Sequence, residues 1–173
     1  MPDKQLILIR HAKSSWDDIE LDDHERPLND RGESNGPMMG QRLKKLGVNP
    51  DKVFTSSAVR AVSTAQIVCE EIEFSGEYII PRRVLYHADV STWSDFISEL
   101  DDSWNAVMIF GHNPGLTELA IDIWQLSVSN VPTCGVLLLG FDAGSWEKVF
   151  FSQPVRACFD YPKNKSGLPE VLR

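Results

Sequence analysis

Short apolar runs alternate with stretches of helical periodicity through the first two thirds of the chain. The runs are bounded by Gly, Pro, Ser or Asp, which is typical of β-strands, and they lie at residues 6–9, 53–54, 78–80 and 107–110. Two intervening stretches repeat apolar residues with the period of a helix: Met38, Met39, Leu43 and Leu46 in the first, and Ala61, Ala65, Val68 and Ile72 in the second. This alternation predicts right-handed βαβ units and a largely parallel sheet.

The last third of the chain has a different pattern. Two apolar runs, at 136–139 and 149–151, flank a turn-forming segment at 142–145, and together they predict a hairpin with an antiparallel strand at one edge of the sheet. Residues 161–173 contain Pro, Gly and charge with little periodicity, so we expect an irregular tail. Pro37 falls within the first helical stretch, and we expect that helix to begin near Pro37 or to bend there.

Composition limits the class of protein. The chain has 173 residues, enough for one domain with its own core, and we expect a single domain over 1–173. No apolar run approaches the roughly 20 residues that span a bilayer, and the apolar run before Arg10 is too short for a secretory signal, so we expect a cytoplasmic protein without membrane contact. The three cysteines form no CxxC motif and suggest neither disulfides nor a zinc site.

The net charge of −8 argues against nucleic-acid binding, which needs a basic surface to neutralise phosphates. A small phosphorylated group needs only a local cationic pocket, so the overall charge does not exclude it. The histidines and carboxylates also lack the spacing of metal ligands, and we expect neither a metal nor a cofactor.

Histidine and arginine follow the predicted strands where ligands bind in parallel α/β sheets, outside the carboxyl ends. Arg10 and His11 follow the first run, His112 follows the fourth, and Arg60 falls in the first turn of the helix after the second. One such residue alone would be read as a solvated strand end, but four on one edge predict a site. Asn113 and Pro114 resemble the N-cap and first residue of a helix. The free backbone amides at the start of such a helix would favour an anion beside His112.

This combination of side chains favours phosphate chemistry. Arginine presents a planar fork of donors that matches phosphate oxygens, and neutral imidazole is a competent nucleophile near neutral pH. Together they predict in-line phosphoryl transfer to a histidine, with arginines stabilising the equatorial oxygens.

Four co-linear motifs carry a family resemblance: LIRHAKSS, RPLNDRG, TSSAVRAVSTA and GHNPGL. With these motifs in the family's order, the chain resembles the histidine phosphatase superfamily, which has the phosphoglycerate mutase-like fold. It resembles most closely the small SixA-like phosphohistidine phosphatases. The resemblance implies a three-layer α/β/α sandwich and a site that works without metal. It also implies that His11 becomes phosphorylated, that Arg10 and Arg60 bind the phosphoryl group, that His112 is the second site histidine, and that Ser14 lies near the phosphate.

The chain departs from the family pattern at the nucleophile and at the proton donor. Ala12 replaces the usual glycine after the nucleophile, and Asn113 stands where the acid phosphatases of the family place an aspartate. His87 and Asp89 are the nearby candidates for a proton donor, although both would also suit a solvated loop. A weak or missing general acid favours a phosphorylated imidazole over an alkyl phosphate, because the imidazole can carry a proton on its other nitrogen before it leaves.

We therefore expect a metal-independent phosphatase that acts through phospho-His11, with a phosphohistidine protein as its substrate. The short connections leave no segment for a lid, which favours a protein-borne phosphate over a small one. Two enzymatic alternatives are a phosphoglycerate mutase-type phosphotransferase and a small-molecule phosphomonoesterase. A noncatalytic phosphate-binding module is the alternative from another class.

Overall fold

A mixed β-sheet forms the centre of the protein in the computed structural model, which describes residues 2–172. Its strands are β1 (Lys4–Arg10), β2 (Lys52–Ser56), β3 (Ile79–Arg82), β4 (Ala106–Gly111), β5 (Val136–Phe141), β6 (Arg156–Asp160) and β7 (Glu170–Val171). Within the described residues the strand order is β3-β2-β4-β1-β5-β6-β7. The strands β3, β2, β4 and β1 pair in parallel, and β1–β5, β5–β6 and β6–β7 pair antiparallel.

In the part of the chain that the structure describes, three α-helices connect the parallel strands in turn, and a fourth leads from β4 to the antiparallel β5. They are α1 (Asp30–Lys45), α2 (Val59–Glu71), α3 (Val90–Ser98) and α4 (Gly115–Asp122). Short 3-10 helices lie at Asp23–Glu25, Gly76–Tyr78, Arg83–Leu85 and Glu147–Phe151. None of the helices in residues 2–172 is both long and apolar enough to cross a membrane.

The three layers follow from the alternation of side chains along the central strands. In β1, Leu6 and Leu8 enter the core cluster that contains α3 and α4 residues, whereas Ile7 and Ile9 enter the cluster with α1 and α2 residues. The residues of β4 divide in the same way. Strands buried on both faces need apolar side chains on both, which explains the unbroken apolar runs in the sequence. The predicted α/β fold class is confirmed.

The end of the chain differs from the predicted hairpin. The partner of β5 is β6 at 156–160, and the predicted second strand at 149–151 lies in the 3-10 helix instead. The Val149 carbonyl accepts a hydrogen bond from Trp124 Nε1 at 3.1 Å, and Phe151 is 85% exposed. Residues 142–155 therefore form a long connection, because packing against α3 and against Trp124, which follows α4, overrides the strand preference of this apolar run.

The tail after β6 is attached to the sheet. Its backbone is mostly irregular and ends in β7, which pairs with β6. The buried Asn164 side chain donates to Asp160 Oδ1 at 2.9 Å and to the Leu168 carbonyl at 2.8 Å. Residue 173, the last of the predicted tail, lies outside the described residues.

Helix α1 begins at Asp30, well before Pro37, so of the two alternatives expected for this helix the start near Pro37 is wrong, and the proline lies inside the helix. Asn29 caps the helix by accepting a hydrogen bond from the Gly32 N–H at 2.9 Å. Gly32 itself lies against the loop that follows β1, and a Cβ there would lie 2.2 Å from the Lys13 carbonyl oxygen. The glycine of the RPLNDRG motif is thus required for the close approach of α1 to the loop that carries His11.

Candidate active site

The structure brings His11, His112, Arg10 and Arg60 together at the carboxyl edge of the sheet. Arg10 pairs with Gly111 in the parallel register of β1 and β4, so His11 and His112 follow their strands at the same level. Their ring centroids are 5.0 Å apart. Arg60 lies in the first turn of α2, with Nη2 at 3.5 Å from His112 Nδ1. This is the edge at which a parallel sheet binds ligands.

His11 has one ring nitrogen in a hydrogen bond and the other available. Nδ1 lies 2.7 Å from the Ala12 carbonyl oxygen, which can only accept, so the proton sits on Nδ1 and Nε2 keeps its lone pair. Burial lowers the pKa of His11 to about 3; the hydrogen bond to the Ala12 carbonyl opposes this shift, and the positive charge of Arg60 adds to it. The imidazole is therefore neutral at physiological pH, as a nucleophile must be.

The loop after His11 is joined to α2 through Thr64, a residue of the TSSAVRAVSTA motif. The Thr64 hydroxyl accepts from the Ala12 N–H at 2.9 Å and donates to the Arg60 carbonyl at 2.6 Å. Ala12 is fully buried in the core cluster on the α1 and α2 face. Its extra methyl, relative to the family's glycine, is thus accommodated in the core.

Arg10 presents a buried donor to the same region. Its Nη1 donates to the Val131 carbonyl at 3.0 Å, whereas Nε is buried without a hydrogen-bond partner among the described residues. Burial lowers the pKa of Arg10, and the positive charge of Arg60 lowers it further. A half-buried guanidinium with a buried, unpaired Nε is costly unless an anion offsets its charge, so this arrangement suits a phosphoryl group.

His112 is held between Ser56 and Arg60. Its Nε2 is hydrogen-bonded to Ser56 Oγ at 2.7 Å, and Nδ1 accepts a long hydrogen bond from Arg60. Burial, together with smaller contributions from the neighbouring His11 and Arg60, lowers the pKa of His112 to about 2. Because the Arg60 guanidinium can only donate, Nδ1 is unprotonated here and the His112 proton sits on Nε2, which donates it to the Ser56 hydroxyl.

Asp23 is a site residue that the sequence reasoning missed. Its Oδ2 accepts hydrogen bonds from Arg60 Nη2 at 2.9 Å, Tyr86 Oη at 2.6 Å and His87 Nε2 at 3.1 Å. Its Oδ1 accepts from Arg26 Nη1 at 2.9 Å. Partial burial would raise the pKa of Asp23, but the hydrogen bonds from Tyr86 and Arg60 outweigh it and hold the pKa well below its usual range.

Ser14 lies beside Arg26, another residue that the sequence reasoning missed. Both are buried, and Arg26 Nη2 donates to the Ser14 hydroxyl while its Nε donates to the Ser15 carbonyl at 3.0 Å. The Arg26 guanidinium lies 3.3 Å from the centroid of the Trp16 ring, a cation–π contact at the rim of the site. Ser14 is therefore part of the wall that supports Arg26.

The two candidate proton donors differ in position. His87 adopts a positive φ of 53°, and its exposed ring lies 5.5 Å from the His112 ring. Asp89 caps α3 by accepting from the Thr92 N–H at 2.8 Å, and this backbone hydrogen bond lowers the pKa of Asp89. An ionised carboxylate has no proton to give at neutral pH, so the structure assigns Asp89 to helix capping and leaves His87 beside the pocket.

The segment after His112 differs from the expected helix start. The Asn113–Pro114 peptide bond is cis, and α4 begins at Gly115. Asn113 Oδ1 accepts from the Thr117 hydroxyl at 2.9 Å, and the Leu116 N–H donates to the His112 carbonyl at 3.1 Å. Pro114 rather than Asn113 is the N-cap residue, so the predicted position is wrong, although Asn113 Oδ1 still accepts from the first-turn Thr117 N–H at 3.3 Å. The Asn113 amide nitrogen donates to the chain at 130–131.

Fold and site together define a phosphoglycerate mutase-like protein, with two histidines and two arginines at one edge of an α/β sheet. A sequence model of the histidine phosphatase superfamily (branch 1) matches residues 6–85. An uncharacterized chloroplastic protein of Arabidopsis thaliana is 31% identical over 155 residues, which cover 85% of this chain and 71% of that protein. The chain belongs to the histidine phosphatase superfamily.

Other relatives match over less of their length or at lower identity. The mitochondrial serine/threonine-protein phosphatase Pgam5 of Drosophila ananassae is 36% identical over 77 residues, 44% of this chain and 26% of that protein. The putative phosphohistidine phosphatase SixA of Agrobacterium tumefaciens has a TM-score of 0.72 at 24% identity, over 81% of this chain and 92% of that one. A protein histidine phosphatase SixA complexed with tungstate has a TM-score of 0.74 at 20% identity, over 92% of this chain and 98% of that one. These structures share the fold, and family membership supports phosphatase activity.

The predicted cytoplasmic location is wrong. The Arabidopsis relative is chloroplastic and the Pgam5 relatives are mitochondrial, so neither is a cytoplasmic protein. The lack of a secretory apolar segment does not bear on organelle transit peptides, which are amphipathic rather than apolar.

Proposed function

We propose that the protein is a phosphatase that forms a phosphohistidine at His11 Nε2 and then hydrolyses it, with a phosphohistidine protein as its substrate. The observation that carries this proposal is the state of His11. Its Nδ1 proton is fixed by the Ala12 carbonyl, its Nε2 lone pair is unprotonated, and two arginines lie beside it. A neutral imidazole in a cationic pocket is poised to attack phosphorus.

The reaction would proceed in two in-line steps. In the first, His11 Nε2 forms a bond to phosphorus while the bond to the leaving group breaks. In the second, water attacks the phosphorus of phospho-His11 and the P–N bond breaks. The proton that the attacking water loses passes to solvent, and inorganic phosphate leaves. Arg10 and Arg60 would stabilise the charge on the equatorial oxygens in both transition states. Once Arg60 turns from His112 to the phosphoryl group, the His112 proton can move to Nδ1, with Nε2 accepting from Ser56, and Nδ1–H would donate to the same oxygens.

The choice of leaving group follows from the acid side chains at the site. Asp89 is ionised and occupied at the start of α3, so His87 is the remaining proton donor of the two. An alkoxide depends strongly on a general acid, which contributes about 10² to 10⁴ in rate, whereas an imidazole can leave already protonated. The likeness in fold to a structure described as a protein histidine phosphatase supports the same substrate class.

Two substrates test the proposal, an aryl phosphate and a phosphohistidine protein, each assayed with EDTA. The reaction is then quenched during turnover, and an acid-labile, alkali-stable phosphoenzyme is expected in the wild type and not in His11→Ala. His24→Ala is the matched control, because His24 bonds to Ser57 and Glu25 and lies outside the His11–His112 pair.

Each alternative has its own signature when a sugar phosphate acceptor and an alkyl phosphate are added to this experiment. Phosphoenzyme in His11→Ala would assign the nucleophile elsewhere. Transfer to a sugar phosphate acceptor in place of water would indicate a phosphotransferase, and faster turnover of alkyl phosphates would indicate a phosphomonoesterase. Bound phosphate without turnover of either substrate would indicate a noncatalytic binding module.

A further inference from the structure

Asp23 holds the guanidinium of Arg60 through two atoms. Arg60 Nη1 donates to the Asp23 backbone carbonyl at 2.5 Å, and Nη2 donates to its Oδ2 at 2.9 Å. Arg60 itself is 4% exposed, so few waters can replace these acceptors. Because a guanidinium is a rigid planar fork, fixing both terminal nitrogens fixes the plane in which its remaining donors lie.

The Asp23 carboxylate is itself held by other site residues. Tyr86 and His87, which follow β3, donate to Oδ2, and Arg26 donates to Oδ1. Asp23 therefore accepts hydrogen bonds from side chains of three separate chain segments. Such a carboxylate has a defined position even though its side chain is 40% exposed.

The Asp23 carboxylate also offsets the positive charge of the arginines around the site. Arg10, Arg26 and Arg60 are positive charges on one pocket, and the charge of Arg60 already lowers the pKa of Arg10. Within residues 2–172, Asp23 is the one carboxylate that forms ion pairs with Arg26 and Arg60. Without it, repulsion between the arginines would favour rotation of Arg60 away from the pocket.

We propose that Asp23 is a positioning residue that orients Arg60 for the phosphoryl group in transfer to and from His11. It acts through Arg60 and does not itself touch the phosphoryl group. This inference rests on the proposed function, since the oriented arginine is the one that stabilises the transition state there. The expected consequence is an effect on kcat more than on KM, because orientation matters most where charge spreads over the equatorial oxygens.

The test compares Asp23→Ala and Asp23→Asn with Asp22→Asn. Asp22 is an exposed neighbour without a side-chain capping bond, so its variant makes the same charge change outside the Arg60 contact. We expect kcat on an aryl phosphate to fall about 100-fold in Asp23→Ala and about tenfold in Asp23→Asn, which keeps a neutral acceptor. KM should change less than about threefold, and Asp22→Asn should match the wild type.

A second measurement does not depend on turnover. Side-chain nitrogen NMR of Arg60, with and without inorganic phosphate, reports whether its guanidinium rotates slowly. Slow rotation in the wild type and fast rotation in Asp23→Asn are expected. If the wild type turns over no phosphate compound, the proposed function fails, and this measurement still decides whether Asp23 orients Arg60.

Three outcomes would overturn the inference. Tighter phosphate binding with unchanged kcat in the Asp23 variants would make Asp23 a competitor of the substrate. Equal kcat in Asp23→Ala and the wild type would remove any role, and slow rotation of Arg60 in both Asp23 variants would exclude orientation.

Should these variants not fold, Tyr86→Phe removes one donor to Asp23 and keeps every charge. This variant should loosen Arg60 and lower kcat, and an unchanged Arg60 signal in it would overturn the inference.

Discussion

The Ser56 hydroxyl lies 2.7 Å from His112 Nε2. Ser56 is the last residue of β2, and His112 directly follows the neighbouring parallel strand β4. Strands β2 and β4 pair directly, with Thr55 opposite Phe110, so the hydroxyl and the imidazole meet where the sheet ends. The contact leaves His112 Nδ1 directed towards Arg60. The orientation of the second histidine is thus set by the register of two strands and one hydroxyl.

Removing that hydroxyl should impair catalysis and also lower stability, because Ser56 Oγ accepts from the buried Ala58 N–H at 3.2 Å as well. Ser56→Ala frees the His112 ring, and we expect kcat/KM on an aryl phosphate to fall about tenfold, which corresponds to the loss of one hydrogen bond of about 1.4 kcal/mol. Steady-state kinetics gives this value. Ser57→Ala is the control, because the adjacent Ser57 bonds to His24 and not to His112; an equal loss in that variant would contradict the assignment.

How far the sequence predicts this site depends on what each residue does. Arg10, His11, Arg60 and His112 could be found because each stands at a strand end or a helix start, where topology alone places it. Asp23 could not, since its role depends on how the irregular segment at 15–28 folds back over α2. No periodicity marks such a segment, and the available signal was the position of Asp23 just before the RPLNDRG motif.

The fold shows the same division. Alternating apolar runs predicted the parallel strands and helices α1 and α2, because burial on both faces leaves a clear pattern. The last strands were misplaced: the run at 149–151 is more apolar than β6, yet only β6 fills the sheet position beside β5. Competition between two apolar segments for one sheet edge is decided by tertiary packing, which a local pattern does not contain.

Acid should destabilise the protein through the site histidines. The pKa values of His11 and His112 are lowered by burial to about 3 and about 2, from an ordinary value of 6.5. Because the unfolded chain binds protons below the ordinary value while the folded protein does not, stability is lost as pH falls from about 6.5 towards the folded pKa values. Each histidine lowers the free energy of unfolding by up to about 1.4 kcal/mol per pH unit.

Urea denaturation between about pH 7 and pH 5 measures this loss without interference from carboxylates, whose ordinary pKa values are lower. The decrease should be smaller in His112→Asn than in the wild type, because one of the two neutral imidazoles is gone. An identical decrease in both proteins would show that His112 titrates normally when folded.

The close approach of α1 to the loop after His11 gives a stability prediction. In Gly32→Ala the new methyl would lie 2.2 Å from the Lys13 carbonyl oxygen, so helix and loop must separate. We expect a loss of about 1 to 3 kcal/mol in the free energy of unfolding and reduced activity, because the loop also carries Ser14. Urea denaturation compares it with Gly144→Ala, where a Cβ meets nothing within 4 Å. Equal stability of the two variants would contradict the contact.

Thr64 provides the sharpest link between packing and chemistry, since its hydroxyl joins the Ala12 N–H to the Arg60 carbonyl. Thr64→Val keeps the shape but leaves the buried Ala12 N–H without its acceptor, which costs about 1 to 3 kcal/mol of stability. It should also lower kcat, because the loop holding His11 and the turn holding Arg60 lose their shared tie.

Denaturation and kinetics on the same variant separate the two effects. Ser63→Ala, one residue earlier on α2, removes a hydroxyl outside this link and should leave both values near those of the wild type. A Thr64→Val protein that is less stable yet fully active would show that the hydroxyl supports folding alone. Loss of both, with a wild-type Ser63→Ala, is the expected result, because the same hydrogen bonds that close the loop onto α2 set the distance between nucleophile and arginine.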